Sequence, residues 1–462
     1  MRIRRITFAR VLTCLWATTL LAVGVGLRAP SAAAQAPRPI TLVEALTAAA
    51  QSNLSLRVAA FEVSVARAQL NQAEAAKIGQ LVLTASFTRL NEQSGSTIVF
   101  PAGTIQGVTG TVTVSLPPPT PNLYNAALNY QYPVFTGGRI ESAIALAQAN
   151  LKGAAAALER VKQQVVLDVK QAYYQLLLAQ AGIDVAVRTL ASAEENLRVA
   201  RARVAAGASP RFDEVTAEVN QANARQSLIR ARTAVALAQH SLSAVMALPL
   251  DTALAPRETM SLIPVRLEVA ALIRRALESR PEIAEQQARL AAAIAAIEMA
   301  RANGRPALIL SGGPSYGNTT GGTGAAGGAT VTTGWSVTLS ATVPLFDGGV
   351  TAERIREAEV RVEQLRVVEA QLRQGIELEV RRALLNFASA AEELATADKI
   401  VEQAQEGLRI ANVRFTAGVS TNLEVITAQA SLSQAEGNRI QALFDVNVAR
   451  ALLERAAGGP VE

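Results

Sequence analysis

The sequence contains one long succession of segments twice, and this duplication constrains the fold more than any other feature. PVFTGGR at 133–139 matches PLFDGGV at 344–350, and RVAAGASPRFDEVTAE at 203–218 matches RFTAGVSTNLEVITAQ at 414–429, both at an offset of 211 residues. Because similar sequences fold alike, the chain is expected to build one structural unit twice.

The offset changes upstream of these motifs. SNLSL at 52–56 matches SRPEI at 279–283 at an offset of 227, so the first copy carries 16 more residues in one connection. The sequence therefore predicts repeat 1 over residues 35–262 and repeat 2 over residues 263–462. Each repeat is expected to hold a leading helix, a strand pair, a long helix and a return helix. The predicted strand pairs span 81–133 and 307–343, the long helices 139–206 and 350–417, and the return helices 211–247 and 421–456.

Each long segment has the composition of a continuous helix. No proline occurs in 139–206 or 350–417, and the helix formers Ala, Leu, Glu, Gln and Arg dominate both segments. Apolar residues in 380–415 recur at steps of three and four, which is the spacing of a coiled coil. A helix of 68 residues forms a rod of roughly 100 Å. No compact globular domain requires such a rod.

Both long segments end at similar turns. Each turn combines a glycine that can end a helix with a hydroxyl that can cap the next one. The turns consist of Gly207, Ala208, Ser209 and Pro210 and of Gly418, Val419, Ser420 and Thr421. Asp213 and Glu424 fall in or beside the first turn of the return helices, where the helix dipole favours negative charge. That dipole role is one explanation for the two carboxylates.

Four segments are predicted to be strands with one apolar face. Apolar and polar side chains alternate with a period of two in 122–133 and 335–343, and 81–90 and 307–315 are expected to be the partners of these strands. Each segment has about ten residues, which suits a tilted strand crossing a bilayer. Tyr130, Tyr132 and Trp335 are candidates for an aromatic girdle at the membrane surface. A soluble sheet packed on a core is the alternative. The predicted strands are 81–90, 122–133, 307–315 and 335–343, and the connections rich in Pro at 117–121 and in Gly and Thr at 312–334 resemble exposed loops.

Four strands of one chain cannot close a barrel. Open sheet edges are not tolerated in lipid, so membrane strands require several copies of the chain. Two copies would give eight strands with an interior filled by side chains, whereas three copies give twelve strands and leave room for a lumen. A trimer is therefore the smallest conducting arrangement.

The N-terminus predicts export. MRIRRITFAR is positively charged, residues 11–27 are mostly apolar, and Ala32-Ala33-Ala34 precede Gln35, which together predict a signal peptide over residues 1–34. A retained membrane anchor is the alternative, although the apolar stretch is short for a span. Cys14 lies near the start of that stretch instead of after it, so no lipid attachment is expected. Beyond residue 35 the longest apolar run is LAAAIAAI at 290–297, so strands would have to cross the membrane.

Composition argues against enzymes and nucleic-acid binders. One cysteine and one histidine, His240, supply no zinc site, disulfide framework or Cys-His nucleophile pair. A GxGxxG match at 322–327 lies in a low-complexity run that leads into a strand, so no nucleotide cofactor is expected. Of the 44 basic residues, five precede residue 35, which leaves 39 against 38 acidic residues and does not indicate nucleic-acid binding.

With these motifs in place, the chain resembles the TolC-like outer-membrane efflux and secretion channels. The resemblance covers nearly all of residues 40–458 and rests on LESRPEIAEQQARLAAAIAAIEMARA at 277–302, the two GG motifs, and the RxxxG turns at 203–207 and 414–418. It implies a mostly α protein with membrane β-strands. Three protomers would form a twelve-stranded β-barrel in outer-membrane lipid, continued by a long periplasmic α-helical coiled-coil barrel.

The resemblance also implies partners. The channel would be the exit duct for an inner-membrane pump of the RND or ABC type, joined through a periplasmic adaptor, in drug or metal efflux or in type I secretion. The two turns between the long and return helices would meet the adaptor. The alternative is a periplasmic coiled-coil adaptor or scaffold without a pore, which would lack paired amphipathic strands.

Finally, the resemblance implies a periplasmic gate. Glu424 aligns with a carboxylate that constricts the pore, and Asp213 aligns with one that links neighbouring coils. Thr427 stands where a second constricting acid can occur, and Phe415 replaces a tyrosine whose hydroxyl could bond across coils. Closure of this gate is expected to depend more on packing and less on hydrogen bonds.

Overall fold

The computed structural model describes residues 38–89, 91, 97–115, 122–261, 268–319 and 330–460. The predicted signal peptide with Cys14, the proline-rich stretch at 117–121 and the GxGxxG match at 322–327 lie outside the described residues.

The protein is mostly helical, with one group of strands in each half. From residue 38 to 245 the elements are β1 (Arg38–Ile40), α1 (Leu42–Ser52), α2 (Leu54–Ala75), β2 (Gln80–Arg89), β3 (Thr97–Phe100), β4 (Val112–Ser115), β5 (Asn122–Phe135), α3 (Arg139–Ala205) and α4 (Arg211–Val245). From residue 254 to 456 they are β6 (Leu254–Pro256), α5 (Val269–Ser279), α6 (Pro281–Ala302), β7 (Ala307–Thr319), β8 (Thr330–Thr342), α7 (Val350–Thr416) and α8 (Asn422–Ala456).

The long helices α3 and α7 each have 67 residues and begin after a pair of glycines. Gly138 and Gly349 have φ values of 92° and 89°, a left-handed conformation that glycine adopts without strain, and it lets the chain turn from strand into helix. An 18-residue window of α3 is apolar enough to cross a membrane by length and composition, and 33% of this window is buried in the protein. A core helix passes the same test, so the window is weak support for a spanning helix.

Each predicted leading helix is in fact two helices. Asn53 separates α1 from α2, because its side-chain Oδ1 accepts hydrogen bonds from the Ser55 and Leu56 N–H groups at 2.9 and 3.2 Å. Arg280 separates α5 from α6, because Pro281 disfavours a helical conformation in the residue before it. The prediction of one leading helix per repeat was wrong at these two positions.

Four long strands form one antiparallel sheet in the order β2-β5-β7-β8. In the pair β2–β5, Gln80 lies opposite Gln131, and in the pair β7–β8, Ala307 lies opposite Thr342. Strands β5 and β7 pair with each other and join the two halves of the chain. The sheet is therefore shared by both halves.

The sequence predicted that the Gly- and Thr-rich segment at 312–334 is a loop, but parts of it belong to strands. Strand β7 continues to Thr319 and β8 begins at Thr330, because pairing with neighbours stabilises glycine-rich backbone that has low strand propensity. A Cβ on Gly313 would overlap the carbonyl oxygen of Leu128, so glycine allows the close approach of β5. The sequence also did not predict the β3–β4 hairpin or the parallel pair β1–β6.

Two buried apolar clusters lie where shorter helices pack on the two long hairpins. One surrounds Val169 and Leu242 where α1 packs on α3 and α4, and the other surrounds Val380 and Leu453 where α5 packs on α7 and α8. The buried hydroxyl of Tyr173 donates a hydrogen bond to the Ile40 carbonyl at 3.2 Å, which ties β1 to the first cluster. From these clusters the two hairpins α3–α4 and α7–α8 extend side by side towards their turns, and α3 packs along α8, for example through the Thr189 and Ser433 hydroxyls, which lie 2.9 Å apart.

Candidate functional site

The free ends of the two helical hairpins carry most of the residues that the sequence singled out. Gly207 and Gly418 have φ values of 70° and 75°, and a Cβ at either position would meet no atom within 4 Å. Glycine suits both positions because of this backbone conformation, and both helices end with the same hydrogen bond. The N–H of Ala208 donates to the Arg203 carbonyl at 2.8 Å, and the N–H of Val419 donates to the Arg414 carbonyl at 3.0 Å. Both turns are tight and stand at the end of a rod.

The two hairpins contact each other just behind these turns. The Arg203 guanidinium lies 4.4 Å from the centroid of the Phe415 ring, and its Nη1 donates a hydrogen bond to the Phe415 carbonyl at 3.2 Å. Nδ2 of the buried Asn422 lies 3.5 Å from the Asp213 carbonyl oxygen. The backbone of Asp213, not its carboxylate, thus makes the link to the second hairpin.

The Glu424 carboxylate interacts with its own hairpin. The hydroxyl of Ser420 donates to Glu424 Oε2 at 2.6 Å, and Arg414 Nε lies 3.6 Å from Glu424 Oε1. Thr427, one helical turn further on, donates its hydroxyl to the Leu423 carbonyl at 2.8 Å. Glu424 and Thr427 both line a shallow groove between α7 and α8. The charge of Glu424 is therefore partly compensated within one chain.

Two carboxylates that sequence analysis did not single out link the two helices of the first hairpin. Arg201 of α3 hydrogen-bonds across to Glu218 at 2.6 Å and to Glu214 at 3.3 Å, both on α4. The hydrogen bond that Arg201 donates to Glu218, and to a smaller extent the one that it donates to Glu214, raises the pKa of Arg201 above its usual value. The spacing of four residues between the two acids, which places them on one helix face, was the available signal.

The aromatic girdle candidates lie far from these turns, in the sheet. The rings of Tyr130 and Tyr132 have centroids 6.5 Å apart, and the Tyr130 hydroxyl donates to the Ile78 carbonyl at 2.5 Å. Trp335 lies on β8 opposite Pro314 and is among the most exposed side chains of the sheet. The alternation of β5 and β8 places all three rings on the apolar face of the sheet.

The single histidine and the acidic residues of the described part of the chain were the remaining candidates for a metal site. His240 Nδ1 lies 2.7 Å from the Leu250 carbonyl, a local contact at the end of α4. No group of three or more His, Cys, Asp and Glu residues among the described positions could hold a metal ion.

Comparison with known proteins gives a consistent result. Residues 45–248 and 272–459 match the sequence profile of the "Outer membrane efflux protein" family. The chain is 28% identical to protein CyaE of Bordetella pertussis over 338 residues, which cover 72% of this chain and 70% of that protein. It is 25% identical to the probable outer membrane lipoprotein SilC of Salmonella typhimurium, over 89% of this chain and 84% of that protein.

The fold has solved counterparts as well. The crystal structure of the outer membrane protein VceC from Vibrio cholerae superimposes with a TM-score of 0.71 at 20% identity, and covers 91% of this chain and 97% of that one. The sequence profile spans most of both halves of the chain, from α1 to the end of α8. The protein described here therefore belongs to the outer membrane efflux protein family.

Proposed function

We propose that this protein is the outer-membrane exit duct of a tripartite efflux or type I secretion system, which passively conducts cargo delivered by an inner-membrane pump. The observation that carries the proposal is the direct junction, in one chain, of an amphipathic four-stranded sheet with two helical hairpins. Each long helix has 67 residues and is thus about 100 Å long. Such a chain reaches from the outer membrane deep into the periplasm.

We infer that the functional unit is a homotrimer. Strands β2 and β8 stand at the ends of the strand order, and an open edge of this kind is costly in lipid. Three copies supply twelve strands, enough to enclose a lumen. The apolar face of each strand would then contact outer-membrane lipid, with Tyr130, Tyr132 and Trp335 in the girdle.

The helices offer further support for several copies. Leu54, Val58, Phe61 and Val65 of α2 follow one another at steps of four, three and four, and all are exposed in the single chain. That spacing is the seam of a coiled coil without its partner. Three chains side by side would cover these seams and close a helical barrel.

We divide each chain into repeats at 35–262 and 263–462. The equal lengths of α3 and α7, and of α4 and α8 at 35 residues each, support this division. Two hairpins per protomer would give six hairpins around the axis of a trimer.

The gate would lie where the hairpin turns converge. Glu424, Asp213, Thr427 and Phe415 would form it, and the turns 207–210 and 418–421 would dock on the periplasmic adaptor. Because Arg414 and Ser420 hold Glu424, the three carboxylates of a trimer would be positioned by their own hairpins. They would favour cations at the narrow end of the pore.

Reconstitution tests the proposal. The processed protein should require detergent, sediment with outer-membrane fractions and form ion-conducting channels in planar bilayers. Glu424→Ala should weaken the cation preference measured from reversal potentials. The control is Glu353→Ala, which should leave the preference unchanged, because Glu353 pairs with Arg356 at the other end of α7. A soluble protein without conductance would instead support the adaptor or scaffold alternative.

A further inference from the structure

A half-enclosed cavity lies where the first long helix meets the end of the last helix. It has a volume of about 300 Å³ and is bordered by residues 162–170 of α3, residues 451–455 of α8, Gly459 and Pro460. Helix α3 belongs to the first half of the chain and α8 to the second, so the cavity bridges the two halves. None of the residues assigned to the gate or to the girdle lines it.

The wall formed by Gly459 and Pro460 is held by hydrogen bonds to two helices. Gly458 adopts φ 77°, and the N–H of Gly459 donates to the Glu454 carbonyl at 2.9 Å, which ends α8. Arg275 of α5 donates from Nη1 to the Pro460 carbonyl at 2.9 Å. The cavity is therefore formed by the fold itself, before any ligand binds.

Most of the cavity surface is apolar. Val166 and Leu167 of α3, Ala451 of α8 and Pro460 contribute aliphatic groups to it. Val166 is 41% exposed, so an apolar group placed beside it would gain free energy by leaving water. The volume is at the lower end of the range for small-molecule sites, which suits one short alkyl chain better than the two chains of a phospholipid.

Three of the four charged residues that line the cavity are cations. Lys170 pairs with the fourth, Glu454, and Lys162 pairs with Glu159 at 2.6 Å. The side chain of Arg455, in contrast, makes no hydrogen bond or ion pair with another described residue. The cavity therefore has one cation whose donors remain available.

The neighbouring carboxylate of Glu282 does not occupy the donors of Arg455. The charge of Arg455 acts on Glu282 at longer range, but the two Glu282 oxygens accept hydrogen bonds from Arg280 at 2.9 and 3.2 Å. A guanidinium presents a planar fork of donors that matches a carboxylate. The half-buried Arg455 beside an apolar cavity therefore favours an anion that also carries an apolar chain.

We propose that this cavity binds a single-chain alkyl carboxylate. The carboxylate pairs with Arg455, and the alkyl chain lies along Val166, Leu167 and Ala451. Such a ligand contacts α3 and α8 at the same time and stabilises the junction between the two halves of the folded chain. The inference is independent of the proposed gate and of the cargo.

Octanoate is a suitable probe, because it combines one carboxylate with one short alkyl chain. The full chain in lipid nanodiscs should bind octanoate saturably in isothermal titration calorimetry, after subtraction of the heat measured with nanodiscs that lack the protein. Octyltrimethylammonium has the same chain and the opposite charge, and acetate lacks the chain. Both should bind about tenfold more weakly or less, because each loses one of the two kinds of contact. Equal binding of octanoate and octyltrimethylammonium would overturn the role of the carboxylate.

Two variants locate the site. Arg455→Gln removes the charge and should weaken octanoate binding by about tenfold or more. Val166→Trp should fill the cavity from the α3 side and abolish binding while the helical circular dichroism persists. The control is Arg439→Gln, which should leave binding unchanged, because Arg439 of α8 pairs with Asp398 outside the cavity. Unchanged binding in both Arg455→Gln and Val166→Trp would show that octanoate binds elsewhere.

A variant that lacks residues 461–462 tests another occupant of the cavity. These residues follow Pro460, which forms part of the cavity wall. If the shortened chain bound octanoate several-fold more tightly than the full chain, the cavity would belong to the chain's own residues and the ligand proposal would fail. Equal affinity of the two chains supports the alkyl carboxylate as the occupant.

Discussion

Arg203 joins the two hairpins of one chain by two different interactions. It donates a hydrogen bond to the Phe415 carbonyl and places its guanidinium over the Phe415 ring. A hydrogen bond from a charged donor and an exposed cation–π contact together contribute roughly 2 kcal/mol. We therefore expect Arg203→Ala to loosen the turns and raise the open probability of single channels in planar bilayers several-fold.

The matched control for this variant is Arg198→Ala. Arg198 lies less than two helical turns away and pairs only within α3, with Glu195 at i−3, among the contacts described. Such an exposed pair contributes little to stability. If Arg198→Ala and Arg203→Ala changed the open probability equally, the link between hairpins would not hold the turns.

Arg280 anchors the junction between α5 and α6 from a nearly buried position. Its side chain is 4% exposed and hydrogen-bonds to Glu282 at 2.9 Å and to Glu379 at 2.6 Å. Burial alone would raise the pKa of the Glu282 carboxyl, but the hydrogen bonds and charge of Arg280 outweigh burial and lower that pKa. Glu282 therefore stabilises the folded protein in its ionised form.

The sign of this shift gives a pH prediction. A lowered folded-state pKa contributes stability above the unfolded pKa, and this contribution is lost as the pH falls through the folded value. Glu282→Gln should lower the free energy of unfolding by about 2 kcal/mol at pH 7. Below about pH 4, the stability of this variant should depend less on pH than that of the unchanged protein. Thermal unfolding followed by circular dichroism would measure both effects. Glu363→Gln, from an exposed pair with Arg366, should change little, and an equal loss there would contradict the assignment.

Sequence reasoning singled out Asp213 and Glu424 beside the turns but did not predict the contacts that surround them. The spacing of the RxxxG turns located Asp213 and Glu424, because a helix end is a local property. Asp213 makes its link through a backbone carbonyl, and the Arg203–Phe415 contact joins residues 212 positions apart. No local pattern reports how two hairpins pack side by side.

At the scale of the element, the glycine that ends each long helix has a measurable role. Gly418 adopts φ 75° in open space, so a Cβ adds conformational strain alone, which is roughly 1–2 kcal/mol. Gly418→Ala should therefore increase amide hydrogen exchange in the last turns of α7. Gly375→Ala, in the middle of the same helix and also without neighbours within 4 Å, should decrease local exchange because alanine favours the helix. Changes of the same sign in both variants would contradict this explanation.

The elements that sequence analysis predicted well are those with local causes. The long helices follow from composition and the absence of proline, and α3 and α7 end one residue before the predicted bounds of 206 and 417. The break at Asn53 was missed because it depends partly on a tertiary contact, the hydrogen bond from its Nδ2 to the Val245 carbonyl at 2.8 Å. The pair β1–β6 joins segments more than 200 residues apart and leaves no periodic signal in three-residue strands.

At the scale of the whole molecule, the equivalent helices α2 and α6 differ in how much of their surface is covered by neighbouring helices. Helix α6 packs against both long helices, α3 and α7, whereas α2 packs against α3. Ala288 of α6 faces Gly153 of α3, and its repeat equivalent on α2 is Phe61, which is 62% exposed. An assembly that treats the two repeats alike would bring Phe61 against the α7 helix of a neighbouring copy.

Phe61→Lys tests whether this uncovered seam holds the trimer together. Burying a phenylalanine side chain contributes about 2–3 kcal/mol, and a trimer would contain three such contacts, so a lysine at each should promote dissociation. Multi-angle light scattering in detergent should show monomers on dilution, while the helical circular dichroism of the single chain persists. Ala60→Lys adds the same charge to an exposed position of α2 outside the seam and should leave the trimer intact. A Phe61→Lys protein that stays trimeric at the same dilution would show that the α2 seam faces solvent or another partner, and that the strands alone hold the copies together.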